Sequence, residues 1–277
     1  VAVNKMDLVD YAEETFDRVV EEFDAFASRL DIAQIQYIPI SALHGDNVVE
    51  RSRHMNWYQG PSLLYHLETV RVGSDLNTTD ARFAVQHVIR PQTDEHHDFR
   101  GYAGAVLGGA FRPGDDVRVL PSGFESKIVD VLVGQQRVEE AFSPMSVTLT
   151  LAGDIDVSRG DMICKPGNQP EMVQDVEAMI CWFSAKQKLQ VGGKFVVRHT
   201  SREAQCKVLG IDYRVDVNTL HREEGVSVLA MNDVARVKLR VSQPLAVDAY
   251  RRNRFTGALI LIDPFSSDTV AAGMIRD

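Results

Sequence analysis

The hydrophobic periodicity of the chain changes after Gly73, and this change limits the fold more than any other feature. Before it, Phe16, Val19, Val20, Phe23, Phe26 and Leu30 recur at three- and four-residue steps, while Glu13, Glu14, Asp17, Arg18, Glu21 and Glu22 fall on the opposite face. This spacing predicts an amphipathic helix between Asp10 and Leu30. Val1 to Val3 reads as a stub of buried strand and Ile35 to Ile40 as a second short strand. A further helix is expected near Pro61 to Val70, carrying Leu63, Leu64, Leu67 and Val70, with Pro61 suited to the first helical position. After Gly73 come short β-branched runs separated by Gly, Pro, Asn and Asp, among them Phe83 to Ile89, Ala103 to Phe111, Lys127 to Val133, Val176 to Trp182 and Ala204 to Val215. Their spacing of roughly 8 to 12 residues is that of β-barrels or sandwiches.

Gly73 to Asp80 is poor in large apolar groups and reads as a linker, and the polar stretch Lys165 to Pro170 divides the β region into two blocks. Lys and Arg number 30 against 39 Asp and Glu, a net charge of −9 over 277 residues. Without a cationic surplus the chain is not expected to grip nucleic acid. Its longest apolar stretch, near Gly257 to Ile262, falls far short of the roughly 18 to 20 residues of a membrane helix, so no membrane partner is expected. Cys164, Cys181 and Cys206 form an odd set without C-x-x-C spacing, which argues against a disulfide framework or zinc cage and for buried, reduced thiols in the cytoplasm. The chain opens Val1-Ala2-Val3, with neither initiator Met nor signal peptide, and is expected to have been cut from something longer.

Chemistry enters at Asn4-Lys5-Met6-Asp7, which matches N-K-x-D, the guanine-recognition pattern of GTPases. Guanine offers two adjacent donors, the ring N1–H and the exocyclic amine, and a carboxylate with two parallel acceptor oxygens pairs with both, as it could not with adenine. Asp7 would set base identity, Asn4 would bridge the neighbouring backbone and the far edge of the base, and the Lys5 stem would lie against the ring. Three fixed positions recur by chance in about one window of 8,000, so the weight comes from order. The order is strand, N-K-x-D, helix, strand and then Ser41-Ala42-Leu43, the S-A-L/K companion whose backbone N–H contacts the base oxygen. Both turns fall at the C-terminal ends of adjacent strands, where open α/β sheets place ligands. The phosphate-binding half is missing: Gly193-Lys194 is followed by Phe195, and Asp98-Phe99-Arg100-Gly101 fits D-x-x-G only on the wrong side of the guanine motif. No catalytic residue and no metal ligand is assigned, and the chain alone is expected to bind GTP poorly and not to hydrolyse it.

An N-K-x-D and S-A-L pair followed by two β blocks resembles the translation-factor superfamily, the architecture of elongation factor Tu, and FRPGDDV (111–117) looks like its second-domain turn. Longer strings are similar to the large, GTP-binding subunit of bacterial sulfate adenylyltransferase: NKMDLVDY (4–11), SALHGDN (41–47), WYQGPSLLYHLETV (57–70), DFRGYAG (98–104), VLPSG (119–123), DYRVDVNTL (212–220), DAYRRNRFTG (248–257) and LIDPFSSDTVAAGMI (261–275). The resemblance implies an α/β remnant of a P-loop G domain (1–72), a linker (73–80) and two antiparallel β-barrels (81–168 and 169–277). It implies a cytoplasmic heterodimer in which a small catalytic subunit makes adenosine 5′-phosphosulfate and pyrophosphate from ATP and sulfate. This subunit would couple GTP hydrolysis, with Mg2+ in the full-length protein, to that step. Carried over by position, the nucleotide-site candidates are Asn4, Lys5, Asp7, Ser41, Ala42 and Leu43. Asn56, where the family usually has Pro, and the long loop Gln92 to His97 depart from the pattern. The rival is an elongation factor Tu-like protein delivering aminoacyl-tRNA, which the acidic charge and the 57–70 and 261–275 strings disfavour.

Other residues invite functional readings of less weight. His96 and His97, flanked by Asp94, Glu95 and Asp98, suggest a metal site, but adjacent side chains on an extended loop diverge and a solvated polar loop is expected. Arg159-Gly160-Asp161 is expected to be a strand-entry turn. Trp57 and Tyr58 fit an interaction surface and a packed hinge equally. Tyr250 to Arg254 is the basic cluster, fit for an acidic partner but more commonly solvated loop charge.

Overall fold

A strand pattern with one buried face leaves two open sheet edges unless the sheet closes on itself, and this chain closes twice. The computed structural model describes residues 1–30, 32, 34–70, 76–91 and 99–276, in two compact units, Val1–Ser74 and Asp75–Asp277. The His96–His97 reading and parts of the linker and D-x-x-G readings (73–75 and Asp98) lie outside the described residues.

In the first unit β1 (Ala2–Val3) runs parallel to β2 (Ile38–Pro39), with α1 (Glu13–Ala27) between them in sequence. Ile38 donates to the Val1 carbonyl (3.0 Å) and Ile40 to that of Val3 (2.8 Å). The missing N–H of Pro39 therefore faces away from the ladder, the only place a strand tolerates it. The first helix starts later than its periodicity suggests because Asp10 and Tyr11 adopt φ 54 and 57, left-handed values that end the 3-10 turn Met6–Val9. α2 (Leu63–Thr69) is also shorter than expected: Ser62 occupies the N-cap position and Pro61 stands before it. Its apolar side is largely open, with Leu67 63% exposed. The core gathers Met6, Phe16, Ile38, Ile40, Met55 and Tyr58, against which Trp57 and Leu63 pack.

The second unit holds two antiparallel barrels. The first comprises β3 (Arg82–Ile89), β4 (Gly101–Gly108), β5 (Ala110–Phe111), β6 (Asp116–Leu120), β7 (Glu125–Val133), β8 (Gln136–Arg137), β9 (Ala141–Phe142), β10 (Ser146–Leu151) and β11 (Met162–Cys164). Its ring runs β10-β4-β3-β11-β6-β7, and β7 pairs with β10 to close it. The second comprises β12 (Glu171–Trp182), β13 (Leu189–Gln190), β14 (Lys194–His199), β15 (Arg202–Val215), β16 (Arg222–Glu224), β17 (Val228–Leu229), β18 (Val234–Val247), β19 (Ala258–Ile262) and β20 (Thr269–Ile275). Here the ring β14-β19-β20-β12-β18-β15 closes through β14 and β15. Alternation fills each lumen, as in β14, where Phe195, Val197 and His199 are buried. Phe83, Tyr102, Phe111 and Leu149 fill the first barrel, and Trp182, Phe195, Val208 and Leu239 the second. Two antiparallel barrels after an α/β segment is the architecture the sequence predicts.

The barrels meet through charge as well as apolar surface. Arg82, fully buried, sends Nε and Nη2 to the two oxygens of Asp248 (2.8 and 2.9 Å). Its remaining N–H groups reach Ala81 O (3.0 Å), Asn168 O (2.7 Å) and Asn168 Oδ1 (3.3 Å). A second pair crosses nearby: Arg252 holds both oxygens of Asp80 at 2.7 Å, which Asn77 and Asn168 also bond. These bonds, that to Arg252 foremost, keep the Asp80 carboxyl far below the usual carboxylate range despite its burial. Arg252 is thus a clamp between barrels and not solvated loop charge, because the 250–254 turn lies against the entry to β3. Arg159–Asp161 forms the expected turn before β11, and Asp161 binds Arg202 at 2.7 Å. Ala84, Leu120, Met162, Cys164 and Ala246 form the apolar part of the junction. Cys164 and Cys206 are buried as expected, their thiols pushed up to about 11 chiefly by desolvation, while Cys181 is only partly buried.

Removing one partner of a buried, hydrogen-bonded pair strands the other charge. Arg82→Ala is therefore expected to cost about 3–5 kcal/mol in urea unfolding, whereas Arg198→Ala, which breaks an exposed pair with Glu203, costs under about 1 kcal/mol. A second expectation concerns acid. His199 is buried with Nε2 2.7 Å from the Thr256 carbonyl, and burial holds its pKa below the ordinary value although Asp248 pulls upward; Arg202 adds to the lowering. The unfolded chain then takes up the proton first, so the stability tied to neutral His199 is complete above about pH 6.5 and is lost as pH falls below it. Urea midpoints at neutral and mildly acidic pH measure this loss, and His199→Gln should flatten it.

Candidate functional site

The parallel pairing of β1 with β2 brings the turns after both strands side by side. Met6 donates to the Ile40 carbonyl at 3.2 Å, which extends the register past the strand ends and sets Asn4–Asp7 against Ser41–Leu43. Two side-chain bonds then join the turns. Asn4 Oδ1 accepts the Ala42 N–H at 3.0 Å as well as the Lys5 N–H at 2.7 Å. Ser41 Oγ donates to Asp7 Oδ1 at 2.6 Å.

Each residue reaches its place for a local reason. Lys5 adopts φ 67, a left-handed value that costs a non-glycine residue roughly 1 kcal/mol. The Asn4 side chain bonded to the Lys5 N–H holds that conformation in place. Ser41 is fully buried, so its hydroxyl must find partners; it donates to Asp7 and accepts, at 3.4 Å, the His44 N–H. Asn4, Lys5, Ala42 and Leu43 are exposed, with Asp7 intermediate. The six residues singled out by sequence therefore lie together past the ends of β1 and β2, four of them at an exposed rim and Ser41 buried beneath it. Asp7 presents a carboxylate whose rotation is fixed by Ser41, the property a two-donor base edge requires. A base oxygen arriving at the Ala42 N–H would share it with Asn4.

Behind this rim lies a network that the motif did not reveal. The Asp46 carboxylate accepts the Tyr11 hydroxyl (3.0 Å) and the Ser52 hydroxyl (2.6 Å), with His54 Nδ1 at 3.2 Å. Asn47, buried at φ 54, donates to the Pro39 carbonyl (2.9 Å) and accepts the Ser52 N–H (2.7 Å). Trp57 donates its indole N–H to the Tyr11 carbonyl at 3.0 Å, and Tyr58 is buried in the same core. Both aromatic residues are thus packing elements of this unit. The only sequence signal for the network was the Gly45-Asp46-Asn47 turn itself. Among the described residues no three His, Cys, Asp or Glu side chains are placed to hold a metal ion, and no helix is long and apolar enough to cross a membrane.

The family described as GTP-eEF1A C-terminal domain-like matches residues 175–276, within the second barrel. The bifunctional enzyme CysN/CysC of Mycobacterium tuberculosis is 51% identical over 275 residues, covering 99% of this chain and 45% of that protein. Sulfate adenylyltransferase subunit 1 of Bacteroides fragilis is 43% identical over 277 residues, covering 100% of this chain and 57% of that protein. The chain thus spans about half the length of the curated relatives it matches. Among solved structures, Sup35 complexed with GDP aligns with a TM-score of 0.66 at 20% identity, over 100% of this chain and 68% of that one. The Ski7 GTPase-like domain of S. cerevisiae bound to GTP gives 0.55 at 14% identity, over 99% of this chain and 63% of that one. At these identities the two structures establish the fold alone.

Proposed function

Because the chain is homologous along essentially its whole length to the sulfate adenylyltransferase subunit 1 and CysN/CysC proteins, we propose that it supplies the guanine-recognition edge and the paired barrels of a sulfate adenylyltransferase GTPase subunit. The observation that carries this reading is a conjunction. Identity of 51% over 99% of the chain coincides with an N-K-x-D turn and an S-A-L turn that hydrogen-bond to each other.

The residues present fit a guanine base. Asp7 accepts the N1–H and the exocyclic amine, Ser41 holds that carboxylate in rotation, Lys5 lays its stem along the ring and Asn4 bridges the two turns at the far edge. Bound GTP supplies the phosphoanhydride whose cleavage drives the cycle. We assign its phosphates and Mg2+ to sequence that the relatives carry outside the matched span, and derive no step through them. The partner is a smaller catalytic subunit that transfers the adenylyl group of ATP to sulfate, giving adenosine 5′-phosphosulfate and pyrophosphate. That transfer is uphill, and coupling requires the nucleotide state to bias contacts differently in two conformations. The barrels, clamped by Arg82–Asp248 and Arg252–Asp80, suit the role of one rigid lever. A cytoplasmic setting agrees with the three free cysteines, two of them buried.

The 277-residue chain alone is expected to show no GTP turnover. The protein that carries it at full length, captured with its small-subunit partner, is expected to form adenosine 5′-phosphosulfate at a rate that rises with GTP. Tight tRNA binding without such a partner would favour an elongation factor instead.

A further inference from the structure

The guanine motif accounts for the residues that would face the base, but not for Asp46. We propose that Asp46 is a positioning residue that fixes the Asp7 carboxylate relative to the Ala42 turn and thereby sets discrimination for the 2-amino group of guanine. The proposal rests on the guanine reading above.

Asp46 ties the two turns together from behind. On one side its carboxylate takes the Tyr11 hydroxyl at 3.0 Å, four positions beyond Asp7 in the N-K-x-D loop. Tyr11 is itself pinned: its N–H bonds the Met6 carbonyl at 2.9 Å, its carbonyl takes the Trp57 indole, and its ring stacks on His54 with centroids 4.7 Å apart. On the other side the Asp46 carbonyl accepts the Ser41 N–H at 3.1 Å, and the Ser41 hydroxyl reaches Asp7. The path Tyr11, Asp46, Ser41, Asp7 closes through the backbone from Met6 to Tyr11 into a ring. Stretching any member moves Asp7 Oδ1 with respect to Ala42.

The chemistry of Asp46 suits a fixed strut. Its side chain is only 10% exposed, yet Ser52, His54 and Tyr11 together outweigh the desolvation that would raise its pKa, so the carboxylate stays ionised. Three partners from two segments, Tyr11 on one and Ser52 with His54 on the other, leave it little freedom of rotation. A side chain that merely stapled its own loop would need Ser52 and His54; the bond to Tyr11 is what reaches the base-reading loop.

Inosine separates positioning from simple stabilisation, because it lacks only the 2-amino group that Asp7 must meet. Titration of the 277-residue chain with guanosine and with inosine, followed through the amide signals of Lys5, Asp7 and Ala42, gives the preference for guanosine directly. In Asp46→Asn, and independently in the milder Tyr11→Phe, that preference is expected to fall about fivefold, the worth of one ordinary hydrogen bond, while urea unfolding stays cooperative. A variant that only lost stability would weaken both ligands alike and keep the ratio. An unchanged ratio in both variants overturns the positioning role and leaves the guanine reading standing. If wild-type signals ignore guanosine even at concentrations high enough to fill a weak site, the guanine reading fails and this proposal with it.

Discussion

A guanidinium with no exposure to solvent must have every N–H satisfied, and Arg82 meets that demand with five hydrogen bonds, two of them to Asp248. It sits at the first position of the first barrel and its counter-ion at the end of a long strand of the second. Either residue without the other would leave an unpaired charge in a low-dielectric junction, so the two barrels must meet with this pair in register. Asp80 with Arg252, and Arg202 with Asp161, cross the same junction in the opposite sense. The apolar contact there is small, built on Ala84, Leu120, Met162, Cys164 and Ala246. Ion pairing, with its geometric demands, thus sets how the barrels join.

The first unit uses a lighter device for a comparable purpose. Two residues of parallel ladder, Ala2 with Ile38 and Val3 with Pro39, suffice to lay one turn against another because side chains take over where the backbone ladder ends. Asn4 to Ala42 and Ser41 to Asp7 continue the strand pairing in side-chain form. The candidate site is therefore a prolongation of the sheet, and its accuracy depends on hydrogen bonds whose partners lie 34 to 38 residues apart.

That distance explains what could be read in advance. The rim was legible because N-K-x-D and S-A-L are short local patterns, and the barrels because alternation such as that of Lys194 to His199 is local too. Arg82 was not, since it lies in the run Arg-Phe-Ala-Val as any strand-entry charge might, 166 residues from Asp248. Arg252 read as one of a solvated cluster for the same reason: its partner Asp80 is 172 residues away. Tyr11 and Asp46 escaped because a hydroxyl and a carboxylate 35 residues apart carry no pattern. The late start of α1 turned on two left-handed residues, Asp10 and Tyr11, that helical periodicity does not register.

Everything proposed for this chain passes through the pairing of Asp7 with a guanine edge, and replacing that carboxylate by an amide tests it most directly. An Asn side chain offers one acceptor and one donor, which no longer matches the two donors of guanine but does match the N1–H and C2 carbonyl of xanthine. In the full-length protein with its partner subunit, Asp7→Asn is expected to abolish stimulation of adenosine 5′-phosphosulfate formation by GTP and to restore it with XTP. Stimulation by GTP that survives the substitution, with no response to XTP, would contradict the assignment of the site.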